Sequence, residues 1–159
     1  MLGSMAEQPV PAFRTMETMK LIGMMAIYAS QAEASQRIPQ QWREFRLSHP
    51  AVGSSELYGA SPSTSDGKIH YLSGVAANKD GAIHGEPLTL EAGEYAFVRV
   101  EDPALLRDTW VWLLRSWLPA SGRREKRAPE FERYTDISET GSPLGPVEIW
   151  IPLEPAAIG

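Results

Sequence analysis

The sequence predicts an α+β fold made of two β-α-β-β units, with antiparallel sheets, two helices on one side and a groove between the halves. Three observations lead there. Apolar runs of strand length recur, each bounded by turn-forming residues, with 13 Gly and 13 Pro spread along the chain. Two amphipathic stripes at helical spacing stand among them. The elements fall in the order strand, helix, strand, strand, twice over, a period of roughly seventy residues that lies well above those of solenoid repeats.

Residues 1–16 are Pro-bearing and without period and read as a flexible N-terminal arm, with 1–4 as tag residues; 17–159 form one domain. Met19 to Ala29 is an apolar run of strand length. Gln31 to Leu47 is helical in its later part, where Pro39 suits a first turn and Ile38, Trp42 and Phe45 share a face. Ser55 to Gly59 is a short strand, Ala60 to Gly67 a turn-rich connector, Lys68 to Ala77 a strand and Asn78 to Gly85 a turn. Glu94 to Val100 is the next strand. Asp102 caps the second helix with Pro103 at its first position; Leu106, Trp110, Leu113, Leu114 and Trp117 form its stripe, and Pro119 is expected to end it. A basic loop, Ser121 to Ala128, leads to strands Phe131 to Ile137 and Val147 to Leu153.

Composition narrows the function classes. A net charge of −5 argues against a surface for phosphate backbones, which need clustered Lys and Arg. With no cysteine, disulfides and thiolate metal sites are excluded, and a cytoplasmic location is expected. Leu21 to Ala29 is too short to cross a bilayer, which takes ~20 residues. His49, His70 and His84 lie in different elements, so no metal is expected, and no phosphate loop or nucleophile elbow points to a cofactor or a triad.

The last two strands carry the chemistry. Alternate side chains of a strand share a face, so Glu132 goes with Tyr134, and Glu148 with Trp150. If the strands pair, one face is expected to collect all four. Two carboxylates beside two rings suit a flat organic cation: the rings attract it, the charges neutralise it. The same alternation also fits a half-exposed face with Glu next to Tyr and Trp by chance.

Three segments resemble a known family: Trp110…Leu114…Trp117 through Gly122, Pro129 through Tyr134, and Val147 through Leu153. Together they are similar to the C-terminal half of the GyrI-like, or AraC effector-binding, domain family. In the first half, Ile38 through Trp42 with Phe45, the triplet Leu57-Tyr58-Gly59 and Gly23 match less distinctively. The resemblance covers residues 17–153. It implies a duplicated β-α-β-β fold with a hydrophobic ligand groove, in which the equivalents of Glu132 and Glu148 form an acidic floor for cationic drugs and Trp150 supplies a ring. Tyr28, Tyr58, Tyr71, Tyr95 and Trp110 are candidates for the groove wall; Trp42, Trp112 and Trp117 are read as core or helix packing.

The resulting expectation is binding of bulky, hydrophobic, cationic small molecules, for sensing or sequestration, by a monomer or homodimer. Many members of the family carry a helix-turn-helix domain; the segment before Met19 is too short for one, so direct DNA binding is not expected. Two alternatives follow from stand-alone relatives. One is hydrolysis of strained cyclopropane natural products, with Glu132 or Glu148 as base. The other is inhibition of a DNA enzyme such as gyrase through Arg123, Arg124, Lys126 and Arg127, a run that as readily forms a solvated loop.

Overall fold

A computed structural model describes residues 9–50, 56–77 and 84–156. Its strands are β1 (Ala12–Met16), β2 (Met19–Tyr28), β3 (Leu57–Ser61), β4 (Ile69–Ala76), β5 (Glu86–Leu90), β6 (Gly93–Val100), β7 (Glu130–Ile137) and β8 (Pro143–Pro152). They form one antiparallel sheet in the order β1-β6-β8-β7-β3-β4-β2-β5. The duplicated α+β reading holds, and the two halves share a single sheet, joined where β3 pairs with β7.

Helix α1 (Gln31–Ser48) starts earlier than its Pro39 suggests. Ser30 caps it by accepting from the Glu33 N–H at 3.1 Å, which sets the start eight residues upstream of that proline. The second helical segment begins as expected, with Asp102 accepting from the Ala104 N–H at 3.0 Å. It runs through a short 3₁₀ turn into α2 (Leu106–Trp112), then a π-helical turn (Leu113–Trp117), then α3 (Leu118–Ser121). Pro119 therefore does not end the helix. The wider π turn takes up the break in hydrogen bonding that proline imposes, and the segment stops at Gly122, whose φ of 76° is left-handed.

Two strands were not expected from sequence. Ala12–Met16, read as part of a flexible arm, is β1, paired along β6, and Glu86–Leu90 is β5, paired along β2. Both are edge strands with mostly exposed side chains, so they lack the apolar alternation of the inner strands. They also shape the sheet. Glu17-Thr18 join β1 to β2, and Glu91-Ala92 join β5 to β6, although each pair of strands stands near opposite ends of the order. Two intervening residues span at most ~11 Å, so the sheet must curl until its ends approach.

The curl creates two faces. The inner face packs on itself: Leu21, Tyr58, Leu72, Leu90, Tyr95, Phe97, Phe131 and Trp150 form one buried cluster drawn from both ends of the sheet. Both helices lie on the outer face. Helix α1 covers Tyr28, Leu57, Tyr71, Tyr134 and Val147, while the second helical segment covers Val98, Ile149 and Ile151. Two separate cores on this helix face leave a seam between them.

Candidate functional site

Register settles where the acidic side chains point. In the β7–β8 pair, Glu132 stands opposite Ile149 and Tyr134 opposite Val147, while Arg133 faces Glu148 and Phe131 faces Trp150. Cross-strand partners share a face. Glu132 and Tyr134 therefore belong to the helix face, and Glu148 and Trp150 to the inner face. The expectation that one face gathers all four is overturned. Alternation within each strand is as read, but the register between them is offset by one residue from the assumed pairing, which sends one acidic pair outward and the other inward.

Glu132 sits at the seam between the two cores. Its Oε2 accepts from Trp110 Nε1 at 2.6 Å, and its Oε1 accepts from the Tyr134 hydroxyl. Tyr71 Oη lies 3.5 Å from Oε1 and 3.3 Å from Tyr134 Oη, and accepts from Trp42 Nε1 at 3.1 Å. Neutral donors from α2, β4 and β7 thus surround one carboxylate, with the α1 indole of Trp42 behind Tyr71, and no cation joins them among the described residues. Burial pushes the Glu132 carboxyl above its ordinary range, and the Tyr134, Trp110 and Tyr71 hydrogen bonds partly offset that rise. Burial, with the Glu132 charge beside them, holds the Tyr71 and Tyr134 hydroxyls well above ordinary tyrosine, so both stay protonated as donors.

Local sequence explains the geometry. Gly59 is Glu132's partner across β3–β7, and a Cβ there would come within 1.9 Å of Tyr71 Oη. Glycine lets the tyrosine lie across β3 and reach the carboxylate, which gives the Leu57-Tyr58-Gly59 triplet a physical reason. Ser73 continues the same cross-strand row; it is fully buried, with Oγ lacking a hydrogen-bond partner.

Glu148 has different company. Arg133 Nε lies 3.1 Å from its Oε1, and Trp150 Nε1 donates to the same oxygen at 3.0 Å. Trp150 is itself buried, its ring stacked on Phe131 at 5.5 Å and edge-on to Phe97 at 4.8 Å. The expected ring of the groove wall is therefore a core side chain.

A cavity of about 450 Å³ opens on the helix face between the halves, lined by Ile69, His70, Leu114, Lys126 and Glu130 among others. None of the site residues expected from sequence lines it. It adjoins the glutamate network through Glu130, two positions before Glu132 on β7, and through Leu114, four residues after Trp110.

A family model described as a GyrI-like small molecule binding domain matches residues 9–154. The chain belongs to the GyrI-like family. Solved structures carry the same fold at low identity. SAV2435 bound to tetraphenylphosphonium is 20% identical, with a TM-score of 0.75 over 92% of this chain and 94% of that one. An integron cassette protein of Vibrio cholerae is 17% identical, TM-score 0.68, covering 91% and 95%. The EcmrR C-terminal domain is 14% identical, TM-score 0.57, covering 92% and 98%. No protein in the curated set matches by sequence.

Within this GyrI-like domain the remaining expected residues divide by face. Tyr28 lies on the helix face, where its hydroxyl donates to Gln41 Oε1 at 2.6 Å; Gln41 Nε2 in turn donates to the Met24 and Tyr71 carbonyls, stapling α1 to the sheet. Tyr58 and Tyr95 belong to the inner cluster and are 1% exposed, so neither reaches the seam. Trp42, read as core, is buried and also supplies the α1 donor of the network.

Sequence reasoning passed over Glu125 and Glu130, which line the cavity together. Glu130 is pushed up to about 8, first by burial and then by the charges of Glu125 and Glu132. Strand parity offered the signal: Glu130 is two residues from Glu132. Among the described residues, no group of side chains suits a metal ion, and no helix is long and apolar enough to cross a membrane.

Proposed function

We propose that this GyrI-like domain binds bulky, hydrophobic organic cations at Glu132, for drug sensing or sequestration. One observation carries the reading: Glu132 is a half-buried carboxylate held only by neutral donors among the described residues, at the seam beside an open cavity. Burying such a charge without a partner is costly. A cation that reaches it supplies the missing charge and takes the place of the Trp110 N–H, while the rings of Trp110, Tyr71 and Tyr134 give it apolar area and π-faces. That SAV2435 is bound to tetraphenylphosphonium supports this class of ligand.

The test is titration with tetraphenylphosphonium, followed by tryptophan fluorescence, beside a neutral triaryl compound of similar size. Wild type is expected to bind the cation more tightly, with Glu132→Gln erasing that preference and leaving the neutral compound unchanged. Equal cation binding by wild type and Glu132→Gln would refute the reading.

A further inference from the structure

The open cavity of the helix face carries charges of both signs, and its floor lies one step along the sheet from Glu132. On β7 the step runs from Glu132 to Glu130, on β3 from Gly59 to Ser61, and on β4 from Tyr71 to Ile69. The first of each belongs to the glutamate network and the second lines the cavity. Glu132 pairs across the sheet with Gly59, and Glu130 with Ser61, so network and cavity are adjacent rows of one face. Residues two apart on a strand share a face and stand about 7 Å apart along it.

The ionisable lining is Lys68, His70, Lys126 and Arg127 against Glu125 and Glu130. His70 Nε2 lies 2.8 Å from Asp66 Oδ2, and Lys126 Nζ lies 2.8 Å from Glu91 Oε1, so these bases already have partners. Lys68 and Arg127 form no ion pair among the described residues. The Glu130 carboxyl, pushed up to about 8 first by burial, is protonated at neutral pH and offers a donor instead of a negative charge. Lys68, Arg127 and Glu125 are all exposed, so solvent screens them alike and the balance among them is positive. One row away stands Glu132, a carboxylate with no counter-ion among the described residues.

We infer that the domain's ligands are amphoteric: aromatic cations that also carry a carboxylate or sulfonate, with the cation at Glu132 and the anionic group in the cavity at Lys68 and Arg127. The inference rests on the reading of Glu132 given above and extends it to the other end of the ligand. A simple organic cation fills the seam and leaves both bases facing water. An anionic group about 7 Å from the cationic centre reaches the cavity row and meets them. Ile69 and Leu114, the apolar part of the lining, hold the rigid ring system that joins the two charges.

Tetramethylrhodamine and its methyl ester share one ring system. The free carboxylate makes the first a zwitterion, and the ester leaves the second a cation. Dissociation constants for both are measured by fluorescence polarisation on wild type, Lys68→Gln, Arg127→Gln, the double variant of these two, and Glu132→Gln. Wild type is expected to bind the zwitterion about fivefold more tightly than the ester, an advantage that shrinks in about 0.5 M salt. The double variant should bring the probes within about twofold by weakening the zwitterion alone, and Glu132→Gln should weaken both. Equal or tighter binding of the ester by wild type, or a zwitterion advantage that survives the double variant, overturns the inference; weakening of both probes by Glu132→Gln then leaves the Glu132 reading standing. If Glu132→Gln binds both probes as wild type does, or neither probe binds wild type, the Glu132 reading fails and the amphoteric ligand fails with it. Thermal melts of each variant show whether any loss of binding reflects loss of the fold.

Discussion

Glu132 and Glu148 stand on neighbouring strands, one position apart in register, and the sheet treats them in opposite ways. Glu148 on the inner face has Arg133 at 3.1 Å, so its charge is already answered. Glu132 on the helix face has hydroxyls and an indole, which orient a carboxylate without neutralising it. An acidic side chain becomes a binding group when the fold withholds its counter-ion. In the proposed function, that difference, rather than the number of acids near an aromatic ring, separates site from scaffold.

The widest expected gap lies in ligand affinity. Glu132→Gln should weaken tetraphenylphosphonium by about 2 kcal/mol or more, roughly 30-fold. Glu148→Gln, acting on the other face with its charge already paired, should change the same dissociation constant less than about twofold. Fluorescence titration of both variants side by side checks this, and similar losses in both would erase the distinction.

Backbone space at the network is next. Gly59→Ala puts a Cβ against Tyr71 Oη and must move that ring off Glu132. A loss of ~1–3 kcal/mol is expected in urea unfolding, typical of overpacking, together with weakened cation binding. Ala60→Gly, one residue on and fully buried in the inner cluster, should cost about 0.5–1 kcal/mol and leave binding intact.

How much of this was legible in the sequence follows from the range of each signal. Period-two runs and the Asp102-Pro103 cap are local, and β2, β4, β6 and the second helix start close to where they were expected. Edge strands β1 and β5 carry little apolar alternation and left no such mark. The site was half legible. Parity put Glu132 with Tyr134 and Glu148 with Trp150, but which pair faces the helices depends on register between strands, a non-local fact set by the joining of two halves. The network's Tyr71 and Trp42 come from β4 and α1, 61 and 90 residues away from Glu132 in the chain, reachable only through Gly59.

The raised carboxyls of Glu132, Glu130 and Glu125 predict a pH dependence. Glu132 and Glu130 hold protons more tightly folded than unfolded, so the stability they contribute is complete below the ordinary glutamate range and is lost as pH rises towards about 8, the value for Glu130. Asp66, held down to about 2 by the Lys68 backbone N–H and then by His70, changes charge well below this window. The ligand-free protein should therefore lose about 1–2 kcal/mol between pH 5 and pH 8, a drop of ~2–8 °C in melting temperature. Glu130→Gln should flatten the slope. Saturating cation should flatten it too, because the bound charge favours ionised carboxylates.

The smallest effect is expected where the charge is already paired. Arg133 is 37% exposed and also lies 3.6 Å from Glu56, so solvent and a second partner dilute its hold on Glu148. A double-mutant cycle of Arg133→Met and Glu148→Gln should give a coupling of about 0.5 kcal/mol that shrinks in 1 M salt. The matching cycle across the seam, Tyr134→Phe with Glu132→Gln, removes a part-buried hydrogen bond to a carboxylate and should give ~1.5–3 kcal/mol with little response to salt. A salt-sensitive coupling at Glu132 would mean that water and ions reach that carboxylate freely. Both carboxylates would then be open to solvent, and the contrast between the two faces would rest on the missing counter-ion alone.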